Sequence, residues 1–386
     1  MSRHIVIVND YAFINGGAGK IAIATAIGLA ERGEDVFFFS SVGPVCDELK
    51  TSKVKTICLG QQDINHKSKW KVLTEGINNI LARKKFKELL DSFESDEVIV
   101  HIHSWTKALS SSIFTCLKHK KNIKSVVTLH DYFSVCPNGG LYDYKHKHIC
   151  HIKSDLGCLF CNCDKRNYLQ KLFRYVRYKK QKRDMNSVSD FIFISQLNKA
   201  AFLSRRTKKC RLFYVQNYVK LSKLVVNHPE TNDFYIYVGR ISEEKGVDYL
   251  CQALTELGKK GYIVGDGPLL SKLKNKYPNL VFTGWLNADQ MVPYILKSRA
   301  FVFPSKWYEG SPLIIPEMIS YGLPCLLSTY SSASELADFD NSVFFDSVES
   351  LKKCLMAKQI PIPKLNRERF SLNSYLSNIM KVYEEL

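Results

Sequence analysis

Short, almost wholly apolar runs recur along this chain, each closed by a turn and followed by a segment of helical period. HIVIV at 4–8 comes first, then KIAIATAIGLAERG at 20–33 and DVFFFSS at 35–41. An unbroken apolar run suits a parallel strand covered on both faces, and strand, turn, helix, strand is the βαβ unit that supplies the cover. Gly33 suits the helix end, because glycine enters the left-handed conformation without a Cβ clash. The series continues with EVIVHIH (97–103), SVVTLHD (125–131) and DFIFIS (190–195). Between 215 and 230 the period is lost, and Pro and Asn appear.

The pattern then restarts. FYIYVGR (234–240), KGYIVGDGP (260–268), NLVFTGWL (279–286), RAFVFPS (299–305) and CLLSTY (325–330) read as strands with their turns. VDYLCQALTEL and PLIIPEMISYGLP read as helices, the second starting near Pro312 and ended by Gly322 and Pro324. A chain of 386 residues fits two domains of ordinary size. The prediction is an α/β protein with two mostly parallel sheets. The halves share an architecture without a repeat of fixed period.

FINGGAGK (13–20) sits directly after the first strand, where a glycine-rich turn brings backbone N–H groups close to phosphate. It is not a nucleotide-triphosphate loop, because Ile21 follows Lys20 and no hydroxyl is left for Mg²⁺. Gly17-x-Gly19-x-x-Ala22 fits the loose dinucleotide fingerprint, but VFFFSSVG offers serines where an acid should hold the ribose. An anion site without a dinucleotide and a plain tight turn both stay open.

The second half carries more chemistry. Glu309 and Glu317 stand eight apart around Gly310-Ser311-Pro312-Leu313. Backbone N–H groups at a helix start suit a pyrophosphate, and a carboxylate just beyond suits ribose hydroxyls. Arg240 closes a strand and Lys245 opens a helix, so both fall at carboxyl ends of parallel strands, where open α/β sheets bind ligands. Arg offers phosphate a fork and Lys a point charge.

With these residues the chain resembles the retaining glycosyltransferases of family 4, which have the GT-B fold. The resemblance rests on the glycine turn, LHD at 129–131, YVGRISEEKG, VGDGP and Glu309-x7-Glu317 within PSKWYEGSPLIIPEM. It implies two Rossmann-like domains facing across a cleft. Residues 1–217 would form the acceptor side, with a Cys-rich insertion at about 132–165. Residues 218–370 would bind a nucleotide diphosphate-sugar, UDP-linked in preference to GDP-linked. Residues 371–386 would be a helix crossing back.

The same resemblance implies roles. Arg240 and Lys245 hold the diphosphate, Glu317 the ribose, and Glu309 the donor sugar. Gly310, Ser311, Pro312 and Leu313 touch phosphate or sugar through their backbone. Gly265 to Pro268, Gly267 among them, and Trp285-Leu286 line the base, and Gly239 is a further donor-binding residue. His130 sits near the donor sugar, and Gly16 and Gly17 approach its phosphate. The transfer retains configuration, the leaving phosphate takes the acceptor proton, and no catalytic metal is expected. The glycosidase logic of paired carboxylates therefore does not apply to Glu309 and Glu317. QNYV at 216–219 departs from the family's Asn-Gly turn.

The excess of 55 Lys and Arg over 37 Asp and Glu gives a formal net charge of +18, which implies an anionic partner. KRNYLQKLFRYVRYKKQKRD (165–184) concentrates it, with Leu169, Leu172, Phe173 and Val176 at helical spacing. That reads either as a membrane-surface helix or as a solvated one packed on its own domain. No zinc-finger spacing or RRM motif supports nucleic acid. There is no signal peptide and no apolar run of membrane-spanning length, so the expectation is a cytoplasmic protein, peripheral on the inner membrane face.

Five of the twelve cysteines cluster, as Cys136, Cys150, Cys158, Cys161 and Cys163, with His146, His148 and His151 nearby. The spacing suggests a structural zinc clip; a disulfide or free thiols remain the other readings. The functional expectation is a glycosyltransferase of bacterial cell-surface polysaccharide synthesis, with a glycan or lipid-linked glycan as acceptor. The alternatives are a sugar-nucleotide hydrolase or epimerase of the same fold and a non-catalytic sugar-nucleotide binder. A nicotinamide enzyme is the more distant reading.

Overall fold

The computed structural model describes residues 3–386 except 119, 207, 227 and 338–340. The first strands are β1 (Arg3–Tyr11), β2 (Asp35–Val42), β3 (Lys55–Gln61), β4 (Glu97–Ile102) and β5 (Ile123–Thr128). A small hairpin, β6 (Tyr142–Asp143) and β7 (His148–Ile149), precedes β8 (Asp190–Phe193) and β9 (Arg211–Tyr214). The second series is β10 (Phe234–Val238), β11 (Lys260–Val264), β12 (Val281–Gly284), β13 (Ser298–Phe303), β14 (Cys325–Ser328) and β15 (Val343–Phe345).

Two large sheets result. One runs β3-β2-β1-β4-β5-β8-β9 and the other β12-β11-β10-β13-β14-β15. All their pairings are parallel, and β6-β7 is antiparallel. Sequence patterning finds the central strands and misses β3, β9 and β15. Those three lie at sheet edges and carry half-exposed residues, so their runs are not wholly apolar.

Each sheet is covered on both faces. One face of the first buries Val6, Val100, Phe86 and Phe114. The other packs Ile5, Ile7 and Ile21 against the terminal helix Leu372–Glu385. That helix inserts Tyr375, Leu376, Ile379, Val382 and Tyr383 into the first sheet's core. Its two tyrosines are hydrogen-bonded there, Tyr375 to Thr25 Oγ1 at 2.8 Å and Tyr383 to His101 Nδ1 at 2.7 Å. The second sheet is flanked by clusters around Tyr235, Leu250 and Val302 and around Ile236, Phe301 and Met318.

Two helices differ from the sequence reading. The helix expected from Pro312 spans only Ile314–Ser320. Pro316 has no N–H to give the Pro312 carbonyl, so that carbonyl accepts from Ile315 at 3.1 Å in a tighter turn. The basic helix spans Tyr168–Asp184 and buries Lys171, Tyr178, Gln181 and Asp184. Leu169 and Val176 are 77% and 54% exposed, so apolar residues of this helix face outward. Among the described residues no helix is long and apolar enough to cross a membrane.

The terminal helix makes a direct test of the fold. Ile379 is fully buried in the first sheet's core. Ile379→Ala is expected to cost about 2–5 kcal/mol, the range for deleting a packed aliphatic side chain. Denaturant unfolding of the two chains measures it, and a loss under about 1 kcal/mol would mean the helix is only loosely docked.

Candidate active site

In a parallel sheet the strand order reverses at one point, and the loops on either side diverge at the carboxyl ends. In the first sheet this happens between β1 and β4, and in the second between β10 and β13. The first crevice is therefore flanked by the glycine turn and by the segment beginning at His103. The second is flanked by Gly239–Lys245 and by Pro304–Leu313. These four segments meet across the sheets. A Cβ placed on Gly17 would stand 3.7 Å from Leu313 Cδ1, and one on Gly310 would stand 3.8 Å from the His130 carbonyl oxygen.

Contacts from the second half fix this approach. Glu335 accepts from the N–H groups of Gln196 and Leu197 at 2.6 and 3.0 Å, which satisfies the start of the helix Gln196–Leu203. A Cβ on Gly140 would stand 2.8 Å from the Trp307 ring. Lys147 pairs with Glu243 at 3.2 Å.

On the carboxy-terminal side, Lys245 forms an ion pair with Glu309. Ser305 Oγ donates to the same carboxylate oxygen at 3.1 Å, and the Lys245 ammonium lies 5.6 Å from the Trp307 ring centre. The loops carrying the pair are tied by the Lys306 N–H, which donates to the Glu244 carbonyl at 2.9 Å. Gly246 permits this approach. Its φ is 68°, and a Cβ there would fall 1.9 Å from the Pro304 carbonyl oxygen. Gly265 does the same at the next turn, where a Cβ would fall 1.9 Å from the Gly239 carbonyl oxygen.

Arg240 is exposed at the mouth of this crevice. Glu317 is half-buried, and burial pushes its carboxyl up against the opposing pull of Lys20 and Lys220. Lys20 thus faces a carboxylate of the other half, a role that motif matching at the glycine turn did not reveal. Ser311 Oγ and Trp307 Nε1 are buried without a hydrogen-bond partner. Unsatisfied groups of this kind cost free energy and mark where a polar ligand would bond. Leu286 is partly buried in the second sheet's core, while its neighbour Trp285 is 72% exposed.

On the amino-terminal side three histidines stack. His130 Nε2 lies 2.8 Å from His103 Nδ1 with the rings 5.1 Å apart, and His103 lies 4.2 Å from His101. His101 also bonds Thr128 Oγ1 at 2.7 Å. Burial holds His130 down to about 4 and His101 down to about 3, and it holds His103 well below its ordinary value. All three are neutral at pH 7. Sequence reasoning singled out His130 alone. The available signal was the two-residue spacing of His101 and His103 at the end of a strand, which puts both on one face.

Tyr132 and Asn198 escaped the sequence reading, and Asp131 entered it only as part of LHD. Tyr132 is buried near Glu309, with its hydroxyl beside the Asn198 side chain. Asp131 opens to the cleft, yet protein surrounds it. Loss of bulk water pushes its carboxyl up to about 6, against a bond from the Phe133 N–H and the charge of Lys107.

The clustered cysteines are not drawn together as a closed four-sulfur set. All five are free thiols, and among the described residues no three of them approach within 4.8 Å of one another. Lys171 Nζ sits 3.3 Å from Cys158 Sγ and 3.2 Å from Cys163 Sγ. A buried ammonium competes with a dication for the same sulfurs, so the set as arranged does not fit a tetrahedral thiolate site. A cavity of about 500 Å³ between Pro229, Arg299, Pro324 and the 359–362 segment lies away from both crevices. Its arginine is committed to the carbonyls of Glu230, Ala357 and Lys358.

Residues 233–356 match the family model of the glycosyl transferases group 1. A putative teichuronic acid biosynthesis glycosyltransferase of Bacillus subtilis is 34% identical over 103 residues, which are 26% of this chain and 26% of that protein. The UDP-Gal:alpha-D-GlcNAc-diphosphoundecaprenol alpha-1,3-galactosyltransferase of Escherichia coli is 38% identical over 109 residues, 24% of this chain and 27% of that protein. The chain thus spans about a quarter of the length of these curated relatives. The crystal structure of Anabaena HepE in complex with UDP and glucose superposes with a TM-score of 0.66 at 14% identity, covering 100% of both chains. That likeness is one of fold, and the two facing sheets are the GT-B arrangement.

The histidine stack makes a pH prediction. An unfolded histidine takes up a proton near pH 6.5, while buried His101 does not until about pH 3. The unfolded state therefore binds more protons as the pH falls, and folding stability drops with it. The stability advantage of the wild-type chain over His101→Gln is expected to shrink between pH 6.5 and 4. Urea unfolding at several pH values checks this, and a difference constant across that range overturns it.

Proposed function

We propose that this chain, whose residues 233–356 match the family model of the glycosyl transferases group 1, transfers a sugar from a nucleotide diphosphate donor to a glycan acceptor, with retention of configuration. The observation that carries this reading is the Lys245–Glu309 pair at the carboxyl ends of β10 and β13, facing the glycine turn and His130. Residues 1–217 act as the acceptor side, 218–370 as the donor side, and 371–386 as the helix that returns to the first sheet.

The donor's diphosphate takes Lys245 from Glu309 and meets Arg240 at the mouth of the crevice. Two cations there offset the charge that gathers on the diphosphate as the bond from sugar C1 to phosphate oxygen breaks. Released from Lys245, Glu309 accepts hydroxyls of the donor sugar. Glu317 receives the ribose hydroxyls, and the unpartnered Ser311 hydroxyl finds a phosphate or sugar oxygen. Gly310, Pro312 and Leu313 bring their backbone to the same atoms, and Gly16 and Gly17 approach the phosphate from the other half.

The acceptor hydroxyl oxygen attacks C1 from the face the diphosphate leaves. Its proton passes to the leaving phosphate oxygen. Neutral His130 offers an imidazole beside the sugar without adding charge, and His103 holds that ring. UDP is the favoured carrier, since the fold neighbour HepE was solved with UDP and glucose. The relatives act in teichuronic acid synthesis and on a diphosphoundecaprenol-linked sugar, which supports a cell-surface polysaccharide and a lipid-linked acceptor.

A lipid-linked acceptor calls for a membrane-facing surface. Leu169 and Val176 project from the basic helix, and Leu156 and Phe160 are 69% and 74% exposed on the short helix before it. Within the basic helix, Arg174, Lys179, Lys180 and Lys182 are paired with Asp164, Asp155, Asp184 and Asp155. Much of its charge is therefore spent internally, and the exposed apolar side chains supply the larger share of binding.

Two outcomes test the reading. Lys245→Ala is expected to lower kcat about 10²–10³-fold, the loss typical of removing one group that stabilises developing charge. UDP should raise the melting temperature of the wild-type chain and have no effect on an Arg240→Ala/Lys245→Ala chain. Unchanged turnover or an unchanged UDP shift in these variants overturns the assignment. For the surface, Leu169→Asp with Val176→Asp should abolish co-sedimentation with vesicles of phosphatidylglycerol and phosphatidylcholine; full retention would remove the membrane step.

A further inference from the structure

The β6–β7 hairpin lies in the Cys-rich insertion and carries a second cluster of chemistry. Asp143 and His148 face one another across the hairpin, and His146 lies in the loop between them. The Asp143 carboxylate is buried and locally anchored. Its Oδ1 accepts from the N–H groups of Lys145 and His146, both at 3.0 Å. Its Oδ2 lies 2.9 Å from His146 Nδ1 and 3.8 Å from Cys161 Sγ.

The histidines are set for coordination. His148 Nδ1 lies 2.8 Å from the Ile149 carbonyl oxygen. A carbonyl only accepts, so Nδ1 carries the proton and Nε2 keeps its lone pair. A histidine that donates one ring N–H to a carbonyl or carboxylate is the usual form of a metal ligand, because the bond fixes both tautomer and ring orientation. Both side chains sit on the exposed face of the hairpin, and one ligand atom from each of Asp143, His146 and His148 lies within 4.8 Å of the others. Bonds of about 2.0–2.2 Å need these atoms to close by roughly 1 Å, a movement open to exposed imidazoles.

We propose that Asp143, His146 and His148 bind a first-row transition-metal dication, zinc foremost, with the Cys161 thiolate or water as fourth ligand. Two imidazoles and a carboxylate on one fixed turn match zinc's preference for a tetrahedral N/O/S set. Binding displaces the proton that His146 Nδ1 or the Cys161 thiol shares with Asp143. Lys171, which lies against the sulfurs of Cys158 and Cys163, is outside this ligand set.

The same hairpin reaches the donor side. Lys147, between the two histidines, pairs with Glu243, two residues before Lys245. A metal that stiffens the hairpin therefore braces the turn carrying the cation proposed to hold the donor. The ligand set itself does not rest on the transferase reading.

The test uses the full chain freed of metal with chelator and passed over a desalting column. Isothermal titration with zinc chloride should saturate at one equivalent, and cobalt should give the visible absorption of a four-coordinate site. His146→Ala/His148→Ala should weaken binding more than about 100-fold. The metal-free variant should keep the wild-type circular dichroism and melting temperature, since both side chains are exposed. Absent binding, or binding that the double variant leaves unchanged, overturns the proposal. Because the readout is metal uptake, it stays separate from any failure of the transfer reaction.

Discussion

Two parallel sheets that open toward each other at their strand-order reversals set everything else in this protein. In a parallel sheet all carboxyl ends lie on one side, so loops far apart in the chain are delivered to one edge. The turn after β1 and the segment after β4 come together on one side, and the turns after β10 and β13 on the other. Lys245 and Glu309 are neighbours for this reason alone, 64 residues apart in sequence.

Holding the two edges together is a separate task, and the chain does it with few but specific contacts. Glu335 caps a helix of the first half, and Arg369 bonds the Glu335 carbonyl and the Gln216 side chain at 2.9 and 3.0 Å. The terminal helix adds a hydrophobic anchor. It leaves the second half and buries an aromatic and aliphatic face in the first, with both tyrosine hydroxyls satisfied. Tyr218 packs against Tyr375 with ring centres 5.9 Å apart.

Electrostatics divides the cleft. Its carboxy-terminal side holds fixed charge, in Arg240, Lys245, Glu309 and Glu317. Its amino-terminal side holds neutral imidazoles, kept so by burial. The proposed transfer would use this division, since negative charge growing on a leaving diphosphate would meet cations on one side and no buried positive ring on the other. The insertion after His130 follows a different logic. Its lysine lies among thiols, while its histidines and Asp143 gather on the exposed hairpin.

The order of strands and helices, the glycine turn and the run around Glu309 and Glu317 were legible from residues alone, because apolar period and glycine placement are local properties of the chain. Edge strands β3, β9 and β15 were not, because half-exposed strands lack that signature. Partnerships were beyond reach for a deeper reason. Nothing local says that Lys245 meets Glu309, that His103 holds His130, that Lys171 lies between Cys158 and Cys163, or that Leu169 points outward while Lys171 is buried. Each depends on which surfaces the packed sheets bring together, and that is decided by long-range burial and desolvation, which only the tertiary structure specifies.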